Sequence, residues 1–266
     1  MKNIQYFLLA TLLIFSACRK DEIKTDFEFE PTTGGETIET RFLGQVIDEA
    51  GLPLQGATIQ LAGFVATSNE DGVFSFQNMK INEGGQLLTI EKGGFFTNVK
   101  RVTPIKNTTF QRVGLVAKGA PTGDFASADG GVISKPNGEK ITFDANSIVD
   151  ESGNNYNGTV EVYTHHFNPE NTFLGELMPG DLSGISNEGN RVKLATYSMI
   201  LAELYGESGQ KLNLKSGTTA AVEFPIKGNA AANAPAEIPL WSLDELTGVW
   251  VEEGRARRDG NYYKAD

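Results

Sequence analysis

The hydrophobic positions of this chain fall in short runs separated by glycine, aspartate and asparagine. Between residues 41 and 117 the runs recur at roughly ten-residue spacing, and some alternate with polar positions, as in Gly56–Leu61. Further on, Val222, Phe224 and Ile226 alternate with Glu223 and with smaller or polar residues. Because a period of two is typical of strands with one buried face, the pattern predicts an all-β protein.

The pattern also predicts individual elements. In the second half, Leu194–Tyr205 is long and almost wholly apolar, which predicts a central strand buried on both faces. Trp241–Trp250 reads as a hairpin with an Asp/Thr-Gly turn. In the first half the predicted strands are Phe42–Ile47, Gly56–Leu61, Val73–Phe76, Leu87–Ile90 and Phe110–Val116.

The N-terminus follows a different pattern. Lys2 precedes an apolar run from Tyr6 to Phe15, and the small residues Ser16 and Ala17 come directly before Cys18. A spanning helix needs about 20 apolar residues, so this shorter run is typical of an export signal. The segment resembles a bacterial lipobox, although it has Phe15 where leucine is usual. We expect residues 1–17 to be a signal peptide and Cys18 to be the lipid attachment residue; the alternative is an ordinary secretory signal with a chance cysteine.

Residues 18–40 have the composition of a stalk, in which acidic residues outnumber basic ones before Pro31–Gly35. Arg19-Lys20-Asp21-Glu22 resembles the surface-export signal of Bacteroidota lipoproteins. That resemblance implies a palmitate-type anchor in the outer membrane with the body at the cell surface. The alternative is that these charges only keep a stalk solvated.

Residues 41–117 carry a recognisable set of turn and core positions. These are Gly44-x-Val46-x-Asp48-x-x-Gly51-x-Pro53-Leu54-x-Gly56-Ala57-x-Ile59, then Asp71-Gly72-x-Phe74-x-Phe76, then Gly94-Phe95. The set resembles the carboxypeptidase regulatory-like domain. The resemblance implies a transthyretin-like β-sandwich that accompanies enzymes, receptors and surface proteins and has no activity of its own.

Residues 125–266 form the second predicted domain, after a Gly/Pro-rich boundary. Gly130-Gly131, Gly138-x-x-Ile141-x-Phe143 and Ser147-Ile148 are similar to the start of a β-sandwich module of ankyrins and netrin receptors. Met178–Leu182 and Trp241…Asp244…Thr247-Gly248-x-Trp250 resemble bacterial surface proteins related to the cartilage intermediate layer protein. We expect a second β-sandwich, and the stop at Asp266 suggests that this domain is incomplete at its C-terminus.

The charge of the chain excludes one class of partner. With a net charge of −11, it lacks the clustered Lys and Arg that nucleic acid binding requires. Cys18 is the only cysteine, so the chain has no internal disulfide. We also expect no cofactor and no metal site, because the only two histidines, His165 and His166, should point to opposite faces of one strand.

Four aromatic residues are the remaining candidate for a binding site. Trp241, Trp250, Tyr262 and Tyr263 lie in or near the C-terminal hairpins and could form a platform for a sugar ring. The alternative is that they are cross-strand core pairs.

Taken together, these features predict a non-enzymatic surface or envelope lipoprotein. Its β-sandwich modules would serve adhesion, assembly or binding of envelope proteins or surface glycans. Two alternatives stay open at this stage. One is a glycan- or peptide-binding lipoprotein of a nutrient-uptake system, and the other is the accessory region of a larger enzyme.

Overall fold

A computed structural model describes residues 36–226 and 231–265 of the chain, together with the backbone of residues 13–21 and 228–230. Nearly all of the regular structure is β, so the all-β prediction is confirmed. Strand β1 comprises Leu13–Asp21 and therefore spans the predicted cleavage position between Ala17 and Cys18. Most of the predicted signal peptide and stalk lies outside the described residues.

The first domain is a sandwich of two sheets. One has the order β5-β2-β8, with β2 and β8 parallel, and the other has the order β4-β3-β6-β7. Phe42, Phe74, Ile59 and Ile90 are among the side chains that fill the space between them, each at most 2% exposed. The strands are β2 Thr37–Ile47, β3 Thr58–Leu61, β4 Phe64–Thr67, β5 Val73–Asn82, β6 Gln86–Glu91, β7 Asn98–Val102 and β8 Asn107–Gly114.

The second domain has one short helix and a larger set of strands. The elements are β9 Gly123–Ala126, β10 Gly131–Ser134, β11 Lys140–Phe143, β12 Ile148–Asp150, β13 Thr159–Phe167, α1 Leu174–Leu177, β14 Ser183–Ile185, β15 Arg191–Gly206, β16 Lys211–Leu214, β17 Ala220–Pro225, the 3₁₀ helix Gly228–Asn233, β18 Glu237–Asp244, β19 Val249–Asp259 and β20 Tyr262–Ala265.

These strands form a single sheet rather than two separate ones. Its order is β10-β11-β17-β20-β19-β18-β1-β15-β13-β9. Off this path, β14 pairs with both β15 and β19, and β16 pairs with β15 and with β12. The two ends of the sheet meet, because Phe125 of β9 lies 2.4 Å from where a β-carbon on Gly131 of β10 would stand. The sheet is therefore almost a closed barrel, and its interior holds an inner core that includes Val162, Phe224 and Tyr263.

Strand β15 is buried on both faces, as its composition predicts. Ile200 and Leu204 point into the inner core. Met199 and Leu201 point out of the barrel, into a second cluster of buried side chains. Alternate residues of a strand face opposite sides, so an apolar strand of this length needs a hydrophobic layer on each side.

That second cluster joins the two domains, and we call it the shared core. Domain 1 contributes Phe96, Val99 and Val116. The second domain contributes strand residues and two residues at α1: Phe167, Val192, Leu194, Met199, Leu201, Trp241, Leu243, Trp250, Leu177 and Met178. The two predicted domains thus share one apolar interface instead of being separated by a free linker.

Candidate functional site

Cys18 lies within β1, just beyond the part of this strand that pairs with β18. Its backbone pairs with Thr196 of β15, and the register shifts between Ala17 and Cys18. Only Phe15, Ser16 and Ala17 of β1 pair with β18. The side chain of Cys18 is outside the described part of the structure, so lipid attachment there stays a prediction.

The four aromatic residues do not form an exposed platform. Trp241 is 0% exposed, Trp250 1% and Tyr263 0%, so no face of these rings is open to a ligand. The tryptophans belong to the shared core, whereas Tyr263 belongs to the inner core and its hydroxyl donates to the carbonyl oxygen of Pro235 at 2.8 Å. Tyr262 is half-buried beside Gly138. Trp241, Trp250 and Tyr263 are therefore core residues, although the two tryptophans are not a cross-strand pair.

A β-bulge interrupts the alternation of β19. Pairing of β18 with β19 shifts between Leu240 and Trp241 because Glu253 of β19 is an extra residue. Before the bulge Trp250 faces the shared core, whereas Ala256, an even number of residues further along β19, faces the inner core. A bulge changes the face on which the following residues lie, and no simple alternation reveals it in the sequence.

The two histidines point to opposite faces of β13, as predicted. The Nε2 atom of His166 lies 2.8 Å from the Oγ atom of Ser198, which is 0% exposed and therefore closed to any substrate. On the other face His165 packs against the ring of Phe167. Burial lowers the pKa of His165 to about 4, so its contact with Glu49 at 3.7 Å involves a neutral ring at pH 7.

Within residues 36–226 and 231–265, no three His, Cys, Asp or Glu side chains are grouped so that they could hold a metal ion. Structural zinc sites need four such ligands and catalytic sites usually three.

Charged and polar side chains that are largely buried form a cluster at the rim of the shared core. We call it the junction cluster: Lys118, Glu203, Tyr205, Lys211 and Glu245. Lys118 belongs to the segment between the domains, and its Nζ atom lies 2.6 Å from the Oε2 atom of Glu203 and donates to the hydroxyl of Tyr205 at 2.6 Å. The Tyr205 hydroxyl in turn donates to Glu203 Oε2 at 2.8 Å. The Lys118 ammonium also lies over the Tyr205 ring, 4.6 Å from its centroid.

Burial is the main cause of the raised pKa values of Glu245 and Tyr205 in the junction cluster. It raises the pKa of Glu245 to about 7; Glu203 adds to the rise, and Lys211, 3.7 Å away, opposes it. Burial and the carboxylate of Glu203 also raise the pKa of Tyr205, which keeps its hydroxyl protonated. One carboxylate oxygen of Glu203 and one of Glu245 are buried without a hydrogen-bond partner.

One residue of the sequence indicates this cluster, although the hydrophobic pattern of the strand alone does not predict it. Glu203 interrupts the apolar strand Leu194–Tyr205, and a carboxylate in a strand buried on both faces must find a partner. That partner, Lys118, is distant in sequence, so only the fold could identify it. The cluster holds the interdomain segment in place; its charges are matched within the cluster rather than directed at a ligand.

A second contact between the domains is made by the loop of residues 168–182, which includes α1 and which we call the arm. Asn98 of β7 is buried, and its Nδ2 atom donates to the carbonyl oxygens of Gly114 at 2.7 Å and Leu177 at 2.9 Å. Lys100 donates to the carbonyl oxygens of Gly175, at 2.7 Å, and Met178. Burial lowers the pKa of Lys100 to about 7, against the opposing charges of Glu176 and Asp181.

Comparison with known proteins yields partial similarity. No family model matches the chain. Cartilage intermediate layer protein 2 of Homo sapiens is 30% identical over 113 residues, which are 41% of this chain and 9% of that protein. Cartilage intermediate layer protein 1 of Sus scrofa is 28% identical over 141 residues, 52% of this chain and 21% of the relative. The chain thus spans no more than about a fifth of the curated relatives it matches.

Solved structures are only weakly similar to this chain. A DUF3823 family protein from Bacteroides ovatus ATCC 8483 aligns with 66% of this chain and 95% of its own, at 10% identity and a TM-score of 0.25. A protein of unknown function from Bacteroides fragilis NCTC 9343 aligns with 86% of this chain and 94% of its own, at the same identity and TM-score. A TM-score of 0.25 is too low to carry an argument.

None of the helices in the described residues is both long and apolar enough to cross a bilayer. Part of the chain is similar in sequence to cartilage intermediate layer proteins, as Met178–Leu182 and the tryptophan hairpin predict.

Proposed function

We propose that this chain is a non-catalytic, β-rich lipoprotein of a bacterial envelope, anchored through Cys18 and serving adhesion, assembly or binding of a partner. The observation that carries the proposal is the position of Cys18. The only cysteine of the chain directly follows an apolar run and two small residues, where a lipoprotein signal peptidase would cut. Stable anchoring takes more than one acyl chain, and bacterial lipoproteins of this type satisfy that requirement.

The architecture supports a binding or structural role over catalysis. The conspicuous polar groups lie in the junction cluster and at the arm, where they pair with the protein itself. The Ser198–His166 contact is buried, and Trp241 and Trp250 are core residues. A platform for glycans therefore receives no support from these residues, and contact with an envelope protein is the favoured mode of binding.

Metabolic labelling tests the anchor. Cells that express the full chain are grown with an alkyne analogue of palmitate, and the wild type is compared with Cys18→Ser. Labelling of the wild type only, together with loss of the leader mass, would support the proposal. Equal labelling of both variants, or none of the wild type, would refute it.

Protease shaving of intact cells then tests the location. If the body is at the cell surface, protease removes the wild-type band while periplasmic markers stay intact. A protected wild-type band would place the body inside the envelope and would turn the search toward periplasmic partners.

A further inference from the structure

The gap between β15 and β18 is filled by the first part of β1, which the proposed processing would remove. Strand β1 is antiparallel to both neighbours, and Phe15, Ser16 and Ala17 pair with Ser242, Trp241 and Leu240 of β18. These are the only residues of β1 that reach β18, and all three precede Cys18. We call the gap the seam: residues 196–202 of β15 facing residues 240–242 of β18.

Cleavage before Cys18 would leave the β18 side of the seam without its partner. Residues 18–21 pair with β15 alone. The peptide groups of Leu240–Ser242 would then lose a ladder of hydrogen bonds in a part of the sheet that is buried. Buried backbone groups are nearly always paired, so an open seam favours the uptake of another strand.

The walls of the seam define what such a strand must be. On one face lie Ile200 and Leu240 of the inner core, and on the other lie Met199 and Trp241 of the shared core, each at most 5% exposed. A strand in this position is covered on both sides, so it must be apolar at successive positions. The occupant in this structure, Leu13-Ile14-Phe15-Ser16-Ala17, has that composition.

The rest of the chain offers no free segment of this kind. Beyond Cys18 the longest uninterrupted apolar run is Met199–Ala202, and it is itself a wall of the seam. A second copy would have to give up its own central strand to fill the gap. The chemistry therefore favours a segment from a different chain.

We propose that in the processed protein the seam accepts an extended apolar segment of a partner protein, antiparallel to both β15 and β18. The inference rests on the proposed function in one respect, namely cleavage before Cys18. Binding by strand addition gains affinity from main-chain hydrogen bonds and specificity from the side-chain pockets on either face.

Peptide binding to the processed lipoprotein, purified from membranes in detergent, tests the proposal. The probe is a fluorescein-labelled peptide with the sequence of residues 11–19, in which Ser replaces Cys18. We expect saturable binding in a 1:1 ratio. A peptide carrying Phe15→Pro lacks one ladder donor and should bind at least about tenfold more weakly.

The unprocessed full chain carrying Cys18→Ser is the matched control. Its own leader fills the seam, so it should bind the probe at least about tenfold more weakly than the processed form. Equal binding by the two forms, or equal binding of the proline peptide, would show that the peptide adheres elsewhere and would overturn the proposal.

Disulfide cross-linking tests the register in which the peptide pairs with β18. A processed Ser242→Cys variant should form a disulfide with a peptide that carries cysteine in place of Phe15, because these two positions are paired. Glu237→Cys, on the same strand but outside that pairing, should not. Cross-links at both positions would contradict the seam as the binding site.

Hydrogen exchange reads the seam directly and needs no label on the peptide. Those amides of Leu240–Ser242 that face away from β19 should exchange rapidly in the processed protein and become protected when the peptide is added, whereas those bonded to β19 should stay protected throughout. Protection of the first group without peptide would mean that the seam closes on itself or holds a second copy, and would refute the proposal. If Cys18 proves unprocessed, the proposed function has failed; if it is processed but no peptide binds, only the seam inference has failed.

Discussion

At the scale of single residues, we expect Lys118 to contribute strongly to the stability of the fold although its side chain is partly exposed. Its ammonium is the ion-pair partner of Glu203, whose side chain is 1% exposed. Removing one partner of a buried pair leaves an uncompensated charge, which costs roughly 3–5 kcal/mol. We therefore expect Lys118→Met to lower the free energy of unfolding by about 3 kcal/mol in urea titrations at pH 7.

A double variant separates charge pairing from packing. Lys118→Met combined with Glu203→Gln removes both charges, so most of the lost stability should return. If Lys118→Met alone costs less than about 1 kcal/mol, the pair behaves like an exposed one and the junction cluster does not hold the domains together.

Glu245 should make stability depend on pH. Its pKa rises to about 7 on folding, chiefly through burial, from an ordinary value near 4.5. The folded state therefore binds the proton more tightly, and the contribution of this group is fully present below about pH 4.5 and lost as the pH rises through 7.

The comparison of Glu245→Gln with wild type measures that contribution. Between pH 5 and 7, wild type should lose stability relative to the variant, with a slope of at most about 1.4 kcal/mol per pH unit. Glu253→Gln, at an exposed position of β19, is the matched control. Parallel curves for wild type and Glu245→Gln would contradict the burial of this carboxyl.

At the scale of elements, docking of the arm depends on a glycine. A β-carbon on Gly114 would lie 2.6 Å from Leu177 Cδ2 and 3.3 Å from its Cα atom, too close to be accommodated without a shift. We expect Gly114→Ala to displace the arm and to speed cleavage by a Glu-specific protease at Glu170 or Glu176. Adding Leu177→Ala frees space for the new methyl group and should slow that cleavage again; unchanged cleavage in both variants would show that the arm is not held here.

Some strands are predicted well by the sequence and others are not. Strands with a clean alternation or an apolar run were located correctly: β3, β5 and β15 overlap their predicted ranges, and the Trp241–Trp250 hairpin forms around Asp244 and Gly248. Strand β7, Asn98–Val102, was not predicted because its buried positions include Asn98 and Lys100. These polar residues are buried to bind the carbonyl groups of the arm, a requirement that arises only in the folded chain.

The candidate site was less predictable for the same reason. The aromatic residues of the second half suggested an exposed platform, but side chains of domain 1, β15 and α1 bury both tryptophans in the shared core. A sequence shows which residues are apolar, while the partner that covers them comes from a different domain. The single sheet of the second domain, whose two ends meet at β9 and β10, likewise depends on long-range contacts.

At the scale of the whole molecule, the shared core predicts that both domains unfold together. Phe96 and Val99 of domain 1 pack in one cluster with Trp241 and Trp250, the only tryptophans of the chain. Domains that share a hydrophobic core of this kind lose much of their stability when either one unfolds, which favours one cooperative transition. Tryptophan fluorescence should therefore report unfolding of domain 1 although neither tryptophan belongs to it.

Ile59→Val provides the test, because Ile59 is buried in the core of domain 1 and is not part of the shared core. This change typically costs 0.5–1.5 kcal/mol, so we expect about 1 kcal/mol here. In a cooperative molecule the free energy of unfolding should fall by the same amount whether urea unfolding is monitored by tryptophan emission or by far-UV circular dichroism. Val222→Ala, in the inner core of the second domain, should shift both signals together in the same way. A biphasic circular dichroism curve, with the tryptophan midpoint unmoved by Ile59→Val, would mean that the domains unfold separately and that their common core contributes little to holding them together.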